Sequence, residues 1–329
     1  MRSLGRDGPV VSSIGLGCMG MSAFYGPADR AESIATIQEA VDHGLTLVDT
    51  GDFYGMGHNE LLLRDALSGG RRERVFIQVK FGAQRDPKGA FVGFDARPTA
   101  LKTALAYSLQ RLGTDYIDLY QPARLDPNVP IEDTIGAIAD MIKAGHVRHI
   151  GLSEVGSQTI RRAHAVHPIR ELQIEYSLMS RGIETDILPT LRELGISITA
   201  YGVLSRGILG GTGKGGLDGR DFRAHSPRWQ GENLQKNLAL ADRLSALAKD
   251  FHATPVQLAI AWVLSRGKDI IPLIGSRTRA QLRDAMGALR LKLSEEQLDL
   301  IGRTVPAEMV AGLRYPAEQM AMLDSERGA

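Results

Sequence analysis

Three side chains with complementary chemistry stand at the ends of apolar segments in the first quarter of the chain. Asp49 closes the run LTLVDT, Tyr54 follows it in GDFYG, and Lys80 lies in VFIQVKFG. An aspartate beside a lysine offsets the cost of burying either charge. An ammonium near a phenol favours the phenolate and is expected to lower the Tyr54 pKa from its usual value of about 10. A phenol tuned in this way can donate a proton to a reacting oxygen. The same trio would also serve as a structural ion pair beside a core tyrosine, so other residues must decide.

Further polar groups recur at comparable places. Ser153 ends HIGLSE, Gln173 lies in ELQIEYS, Tyr201 ends ISITAY, and Ser276 and Arg277 follow DIIPLIG. Short hydrogen-bonding side chains can hold an amide plane, and a tyrosine ring can stack on a flat heterocycle. A hydroxyl and a guanidinium where a strand turns into a helix make a phosphate site, although Ser276 could equally be a plain helix cap. Amide plane, stacking ring and remote phosphate clamp suit a nicotinamide dinucleotide carrying a 2′-phosphate.

The elements that would position these groups alternate in type. Candidate strands are 45–50, 75–82, 116–121, 149–154, 171–177, 196–203 and 269–275, with a weaker eighth at 287–291. Amphipathic segments such as ESIATIQEAVDHG and IEDTIGAIADMIKAG separate them, several ending in glycine. Strands that are apolar throughout, each followed by a helix, imply a parallel sheet covered on both faces. Eight such units favour a closed (β/α)8 TIM barrel forming one domain over residues 1–329, and a barrel carries its chemistry at the C-terminal strand ends. The opening SLGRDGPVVSSIGLG reads as an N-terminal β-hairpin ahead of the first barrel strand.

Composition narrows the class. The 329 residues carry a formal charge of +1, with 43% hydrophobic and 23% charged residues. No basic block points to nucleic acid, and RRER (71–74) reads as a solvated turn. The one cysteine, Cys18, fits a reducing compartment. With neither a signal peptide nor an apolar run near the ~20 residues of a membrane span, a soluble, cytoplasmic protein is expected. GLGCMG matches a dinucleotide fingerprint in letters, but no helix opens directly after it. GTGKGG lacks full P-loop spacing, and the glycine-rich stretch 210–222 reads as a mobile loop. His164 and His167 have no third ligand at a metal spacing and read as a solvated helix end. Trp229 either covers a substrate entrance or anchors its loop.

Taken in order, LVDTGDFYG, VKFG, GLSE, QIEYS, AYGVLSRGIL and IGSRTRAQL resemble the NADPH-dependent aldo-keto reductase family over roughly residues 5–320. GLGCMGMS and VRHIGLSE resemble its pyridoxal-reductase-like or perakine-reductase-like branch of bacteria and plants. The resemblance implies a TIM barrel that binds NADPH or NADP+ and reduces small-molecule carbonyls, with Tyr54 as general acid, supported by Lys80 and Asp49. It implies that Ser153 and Gln173 hold the nicotinamide carboxamide and that Tyr201 stacks on the ring. Gly202, Leu204, Gly207 and Gly275 would border the cofactor, with Met19 as a contact or a packing group. Ser276 and Arg277 would hold the 2′-phosphate, with Gln281 and Asp284 toward the adenosine. Ala285 stands where the family often has asparagine.

The sequence departs from the family at LYQPARLDP, where Ala123 occupies the position of the usual catalytic histidine. Water or substrate could fill the gap, or Gln121 or His58 could stand in. A third alternative is a slow-turnover NADPH-binding redox sensor or regulatory subunit, as in potassium-channel β-subunits, which also lack the histidine. An open, apolar pocket walled by Phe24, Tyr25, Phe53, Phe91 and Trp229 would suit a bulky ketone. Oligomeric state is not legible.

Overall fold

The computed structural model describes residues 1–22, 24–214, 217 and 221–327. A hairpin, β1 (Arg2–Ser3) and β2 (Val10–Val11), precedes a closed barrel of eight parallel strands. In chain order these are β3 (Gly15–Gly17), β4 (Leu47–Gly51), β5 (Phe76–Phe81), β8 (Ile117–Pro122), β9 (Val147–Ser153), β10 (Ile169–Glu175), β11 (Ser197–Tyr201) and β12 (Ile270–Gly275). A second hairpin, β6 (Ala83–Arg85) and β7 (Phe91–Phe94), follows β5. Helices α1 (Arg30–Asp42), α2 (His58–Ala66), α3 (Pro98–Leu112), α4 (Ile131–Lys143), α5 (Ser157–Val166) and α6 (Ile187–Leu194) link successive barrel strands. After β11 come α7 (Gly231–Asp250) and α8 (Pro255–Ser265), and after β12 comes α9 (Arg279–Gly287). No helix among the described residues is long and apolar enough to cross a membrane.

The barrel and its leading hairpin agree with the sequence, but one of the eight strands is not the one expected. The expected weak strand at 287–291 contains a short 3-10 turn, Ala288–Arg290. The eighth strand is instead Gly15–Gly17, which pairs with β12 on one side and β4 on the other. LTLVDT is therefore the second barrel strand, not the first. Strand propensity would not single out Gly-Leu-Gly. The tight approach of its neighbours explains the glycine: a Cβ on Gly15 would lie 2.6 Å from Leu273 Cδ2 and 2.8 Å from Leu47 Cδ2. Gly15 of GLGCMG thus serves barrel closure.

Side chains alternate between the barrel interior and the helix layer, so interior residues stack in tiers. Leu47, Phe76, Leu119, Ile271 and Leu273 cluster low in the barrel with Leu4 and Val11 of the hairpin, which plugs that end. Gly5 N–H donates to Ser197 Oγ at 2.7 Å, fixing the plug. Above this apolar tier lie polar residues: Asp49, Gln78, Lys80, Gln121, Glu171, Gln173 and Thr199, all buried. The chain thus moves from a dry floor to a polar rim at the C-terminal strand ends.

Candidate active site

The Asp49 carboxylate organises the rim. Its Oδ1 accepts from Lys80 Nζ at 2.5 Å, Gln173 Nε2 at 2.8 Å and Gln78 Nε2 at 3.0 Å. Two neutral donors besides the ammonium satisfy the buried anion, as burial of a charge requires. Lys80 Nζ sits 5.2 Å from the centroid of the Tyr54 ring. The Tyr54 backbone is held by its N–H to Gly51 O at 3.0 Å, and Phe53 packs against the ring at 4.8 Å between centroids. The three residues expected to meet do meet.

The expected direction of the tyrosine shift is not found. Burial pushes the Tyr54 hydroxyl well above the ordinary tyrosine value, Asp49 adds to the rise, and Arg124 opposes it. A buried phenol is costly to ionise, and the lysine charge is largely offset by its own aspartate. Tyr54 is thereby kept as a neutral donor.

A cavity of about 730 Å³ begins at Tyr54, Lys80 and Ala123 and reaches Ser276, Arg277, Gln281 and Asp284. Between these ends it is bordered by Met19, Gln173, Tyr201, Gly202, Leu204, Gly207 and Gly275. At the far end Ser276 is buried, and its Oγ has no hydrogen-bond partner among the described residues. The cap of α9 is Thr278, whose hydroxyl accepts from Gln281 N–H at 3.3 Å, so Ser276 is not needed as a cap. The Arg277 guanidinium donates to the Tyr25 carbonyl at 2.8 Å and is paired with no carboxylate among the described residues. An unpartnered hydroxyl, an unpaired guanidinium and a helix start suit a phosphate group. An extended cavity with amide, aromatic and glycine walls leading to that corner fits a nicotinamide dinucleotide. Asp284 turns toward α8, accepting from Thr254 Oγ1 at 2.8 Å and Gln257 Nε2 at 2.9 Å.

Ser153 is buried beside the cavity-lining Arg124, from whose Nη1 its Oγ accepts at 3.3 Å. Tyr201 does border the cavity, and its hydroxyl donates to Glu154 Oε1 at 2.7 Å and lies 2.9 Å from Tyr315 Oη. Glu154 is a non-glycine residue at φ 53°, a strained position of the kind found at sites. Its carboxylate takes Arg314 in a two-point pair at 2.9 and 2.6 Å, and Ser325 Oγ donates at 2.8 Å. Burial alone would raise the Glu154 pKa, but Arg314 and then Arg124 hold it below the usual carboxylate range. This clamp ties the chain after α9 to the barrel rim and seats Tyr315 on the cavity. Arg206 also lines the cavity, its guanidinium 4.3 Å from the Tyr315 ring centroid.

Gln78, Glu154, Arg206, Arg314 and Tyr315 join the site without having been expected there. Gln78 shares the strand face of Lys80 two residues on, which was a usable signal. The long-range contacts of Arg314 and Tyr315 leave no local pattern.

Ala123 lies at the rim, 2% exposed, with its N–H donating to Phe81 O at 2.8 Å. Neither expected stand-in reaches it. Gln121 shares its face but sits one tier lower, where its amide donates to Leu152 O and Glu171 Oε1, each at 2.8 Å. His58 Nδ1 lies 2.9 Å from Ser22 Oγ, and the imidazole does not border the cavity. Phe24, Tyr25, Phe53, Phe91 and Phe94 form aromatic walls. Trp229 is not among them; it is buried under Arg223 at 5.1 Å and anchors its loop. Of the 210–222 stretch, residues 215, 216 and 218–220 lie outside the described residues, while Phe222 borders the cavity.

Barrel, rim and cavity together point to the class of nicotinamide-dependent oxidoreductases. Comparison with known proteins makes this specific. The model of the aldo/keto reductase family matches residues 13–305. A curated soybean (Glycine max) protein described as probable aldo-keto reductase 1 is 43% identical over 320 residues, covering 95% of this chain and 90% of that protein. The solved glycerol dehydrogenase AKR11B4 from Gluconobacter oxydans superposes with a TM-score of 0.82 at 29% identity, covering 93% of this chain and 96% of that one. The aldo-keto reductase AKR11C1 from Bacillus halodurans, in its holo form, gives 0.76 at 25% identity, with the same coverages. The chain belongs to the aldo/keto reductase family. It is an NAD(P)-dependent oxidoreductase acting on small-molecule carbonyl compounds.

Proposed function

We propose that the protein is an NADPH-dependent carbonyl reductase in which Tyr54 is the general acid, acting on carbonyl compounds with a bulky apolar body. The observation that carries this reading is one continuous cavity with the buried Tyr54–Lys80–Asp49 cluster at one end and Ser276 with Arg277 at the other. When bound, the dihydronicotinamide supplies a hydride to the carbonyl carbon and is itself oxidised, the substrate becoming an alcohol. The chain does the rest. Gln173 presents its amide to the carboxamide, Tyr201 supplies a flat ring beside the heterocycle, and Arg277 with Ser276 receives the 2′-phosphate. Tyr54 gives its hydroxyl proton to the carbonyl oxygen. Lys80, fixed by Asp49, stands against the Tyr54 ring, and water returns the proton to the phenolate.

Ala123 favours the bulky substrate because it presents only a methyl group where an imidazole would occupy space. The surrounding Phe24, Phe53, Phe91 and Phe94 rings supply apolar area for such a body. The test is a titration with NADPH and NADH, followed by turnover on matched small aldehydes and bulky ketones. Tighter binding of NADPH and higher kcat/KM on the bulky ketones support the reading. Tight NADPH binding with negligible turnover on every carbonyl would overturn it in favour of a redox sensor.

A further inference from the structure

We propose that Arg124 is a catalytic residue, its guanidinium donating to the carbonyl oxygen as negative charge develops there and so supplying the contact that Ala123 cannot make. The inference rests on the carbonyl-reductase reading above.

The electrophilic side of the site has few candidates. Ala123 offers no polar side-chain atom, and its N–H is held by Phe81 O. Gln121 is bound in the tier below, and His58 lies off the cavity. Lys80 is held on Asp49. Arg124 borders the cavity together with Tyr54 and Lys80, and it follows Ala123 directly in the chain.

How Arg124 is held matters as much as where. Its Nη1 donates to Ala123 O at 2.6 Å and Ser153 Oγ at 3.3 Å, and Nη2 donates to Tyr315 Oη at 3.4 Å. Every one of these partners is neutral. The nearby Glu154 carboxylate is taken by Arg314, and no carboxylate pairs with Arg124 among the described residues. A guanidinium has five N–H groups, so three contacts leave Nε–H and one Nη2–H without an acceptor among the described residues. The arrangement is a cation on the cavity wall, oriented by neutral groups, with no carboxylate in direct contact among the described residues and with the nearby Glu154 charge already taken up by Arg314. That is how a preorganised site stabilises developing charge. Its positive charge also opposes the burial that raises the Tyr54 pKa, easing proton release.

The step balances. As the carbon is reduced, the C=O π pair moves onto oxygen, which takes the Tyr54 proton to give the alcohol. Arg124 holds the oxygen through an N–H during this change and ends unaltered. Unlike a histidine it does not titrate near neutrality, so turnover carries no protonation limb from this position.

The experiment compares Arg124→Met, Arg124→Ala and Arg124→Lys with the wild type in single-turnover reduction of the best ketone. Cofactor dissociation constants and melting temperatures are measured alongside. The expected result is a fall in rate of about 10²- to 10³-fold for the methionine and alanine variants. Cofactor affinity should stay within about threefold of wild type, and the lysine variant should be intermediate. Free guanidinium should restore at least about tenfold to Arg124→Ala and nothing to Tyr54→Phe. Unchanged rates, a loss confined to KM or cofactor affinity, or no rescue of folded Arg124→Ala would overturn the proposal. A wild type inert toward all carbonyls would instead refute the reductase reading on which it rests.

Discussion

The polar tier under the rim holds a carboxyl with an unusual demand. Glu171 is fully buried inside the barrel, with the Gln121 amide on one oxygen and the Thr199 hydroxyl on the other. Burial raises its pKa from 4.5 to about 8; the nearby Asp49 also raises it, while Thr199 and Lys80 pull it down. At neutral pH the folded protein therefore keeps Glu171 protonated, which leaves the Asp49 charge matched to Lys80 alone. Once unfolded, the same side chain releases its proton above about pH 4.5. The unfolded chain thus binds fewer protons between roughly 4.5 and 8, and the contribution to stability falls as pH rises through that window. At about 1.4 kcal/mol per unit, holding the proton at pH 7 costs on the order of 3 kcal/mol. Glu171→Gln removes that cost while keeping an isosteric amide that can donate to Thr199 and accept from Gln121. Urea unfolding from pH 5 to 8 is the assay. The variant should match the wild type within about 1 kcal/mol near pH 5 and exceed it by roughly 3–5 kcal/mol at pH 8. A stability difference that does not grow with pH would refute the reasoning.

Other perturbations test other parts of the account. Asp49→Asn leaves Lys80 buried without its counter-charge, and chemical denaturation should register a loss of about 3–5 kcal/mol, largely recovered by adding Lys80→Met. Arg277→Ala should weaken NADPH by about 10- to 100-fold in fluorescence titration while leaving NADH within about threefold, since one charge-assisted contact is worth about 1.5–3 kcal/mol. For Glu154 the folded pKa is depressed, so its contribution is present above the unfolded value of 4.5 and is lost as pH falls below it. Limited proteolysis should find the segment around Tyr315 protected at pH 7 and released in acid, whereas Glu154→Gln should expose it already at pH 7.

Much of the site could be read from the chain because its residues recur at one place in a repeating unit. Strand then rim residue then helix is a local pattern, and Asp49, Lys80, Gln173, Tyr201 and Arg277 all follow it. What could not be read depends on contacts between distant segments. Gly15–Gly17 forms a strand because Leu47 and Leu273 close over it, not because of its own propensity. The raised Tyr54 pKa is a balance of burial against charges, and spacing names the charges but not the burial. Ser153 was legible as a rim residue, but its contact with Arg124 joins two strand ends and has no local signature. Tyr315 reaches the cavity because Arg314 is clamped on Glu154, more than 150 positions earlier, and no periodicity announces such a clamp.

In the proposed reading Tyr54 delivers the proton and does little to hold the cofactor. The most direct test is Tyr54→Phe, which keeps the ring packed against Phe53 and removes only the hydroxyl. Single-turnover reduction of a bulky ketone should slow by about 10²- to 10⁴-fold, with NADPH affinity within about threefold of wild type. A variant that reduces the ketone at the wild-type rate, or that loses binding and turnover in equal measure, would contradict the account.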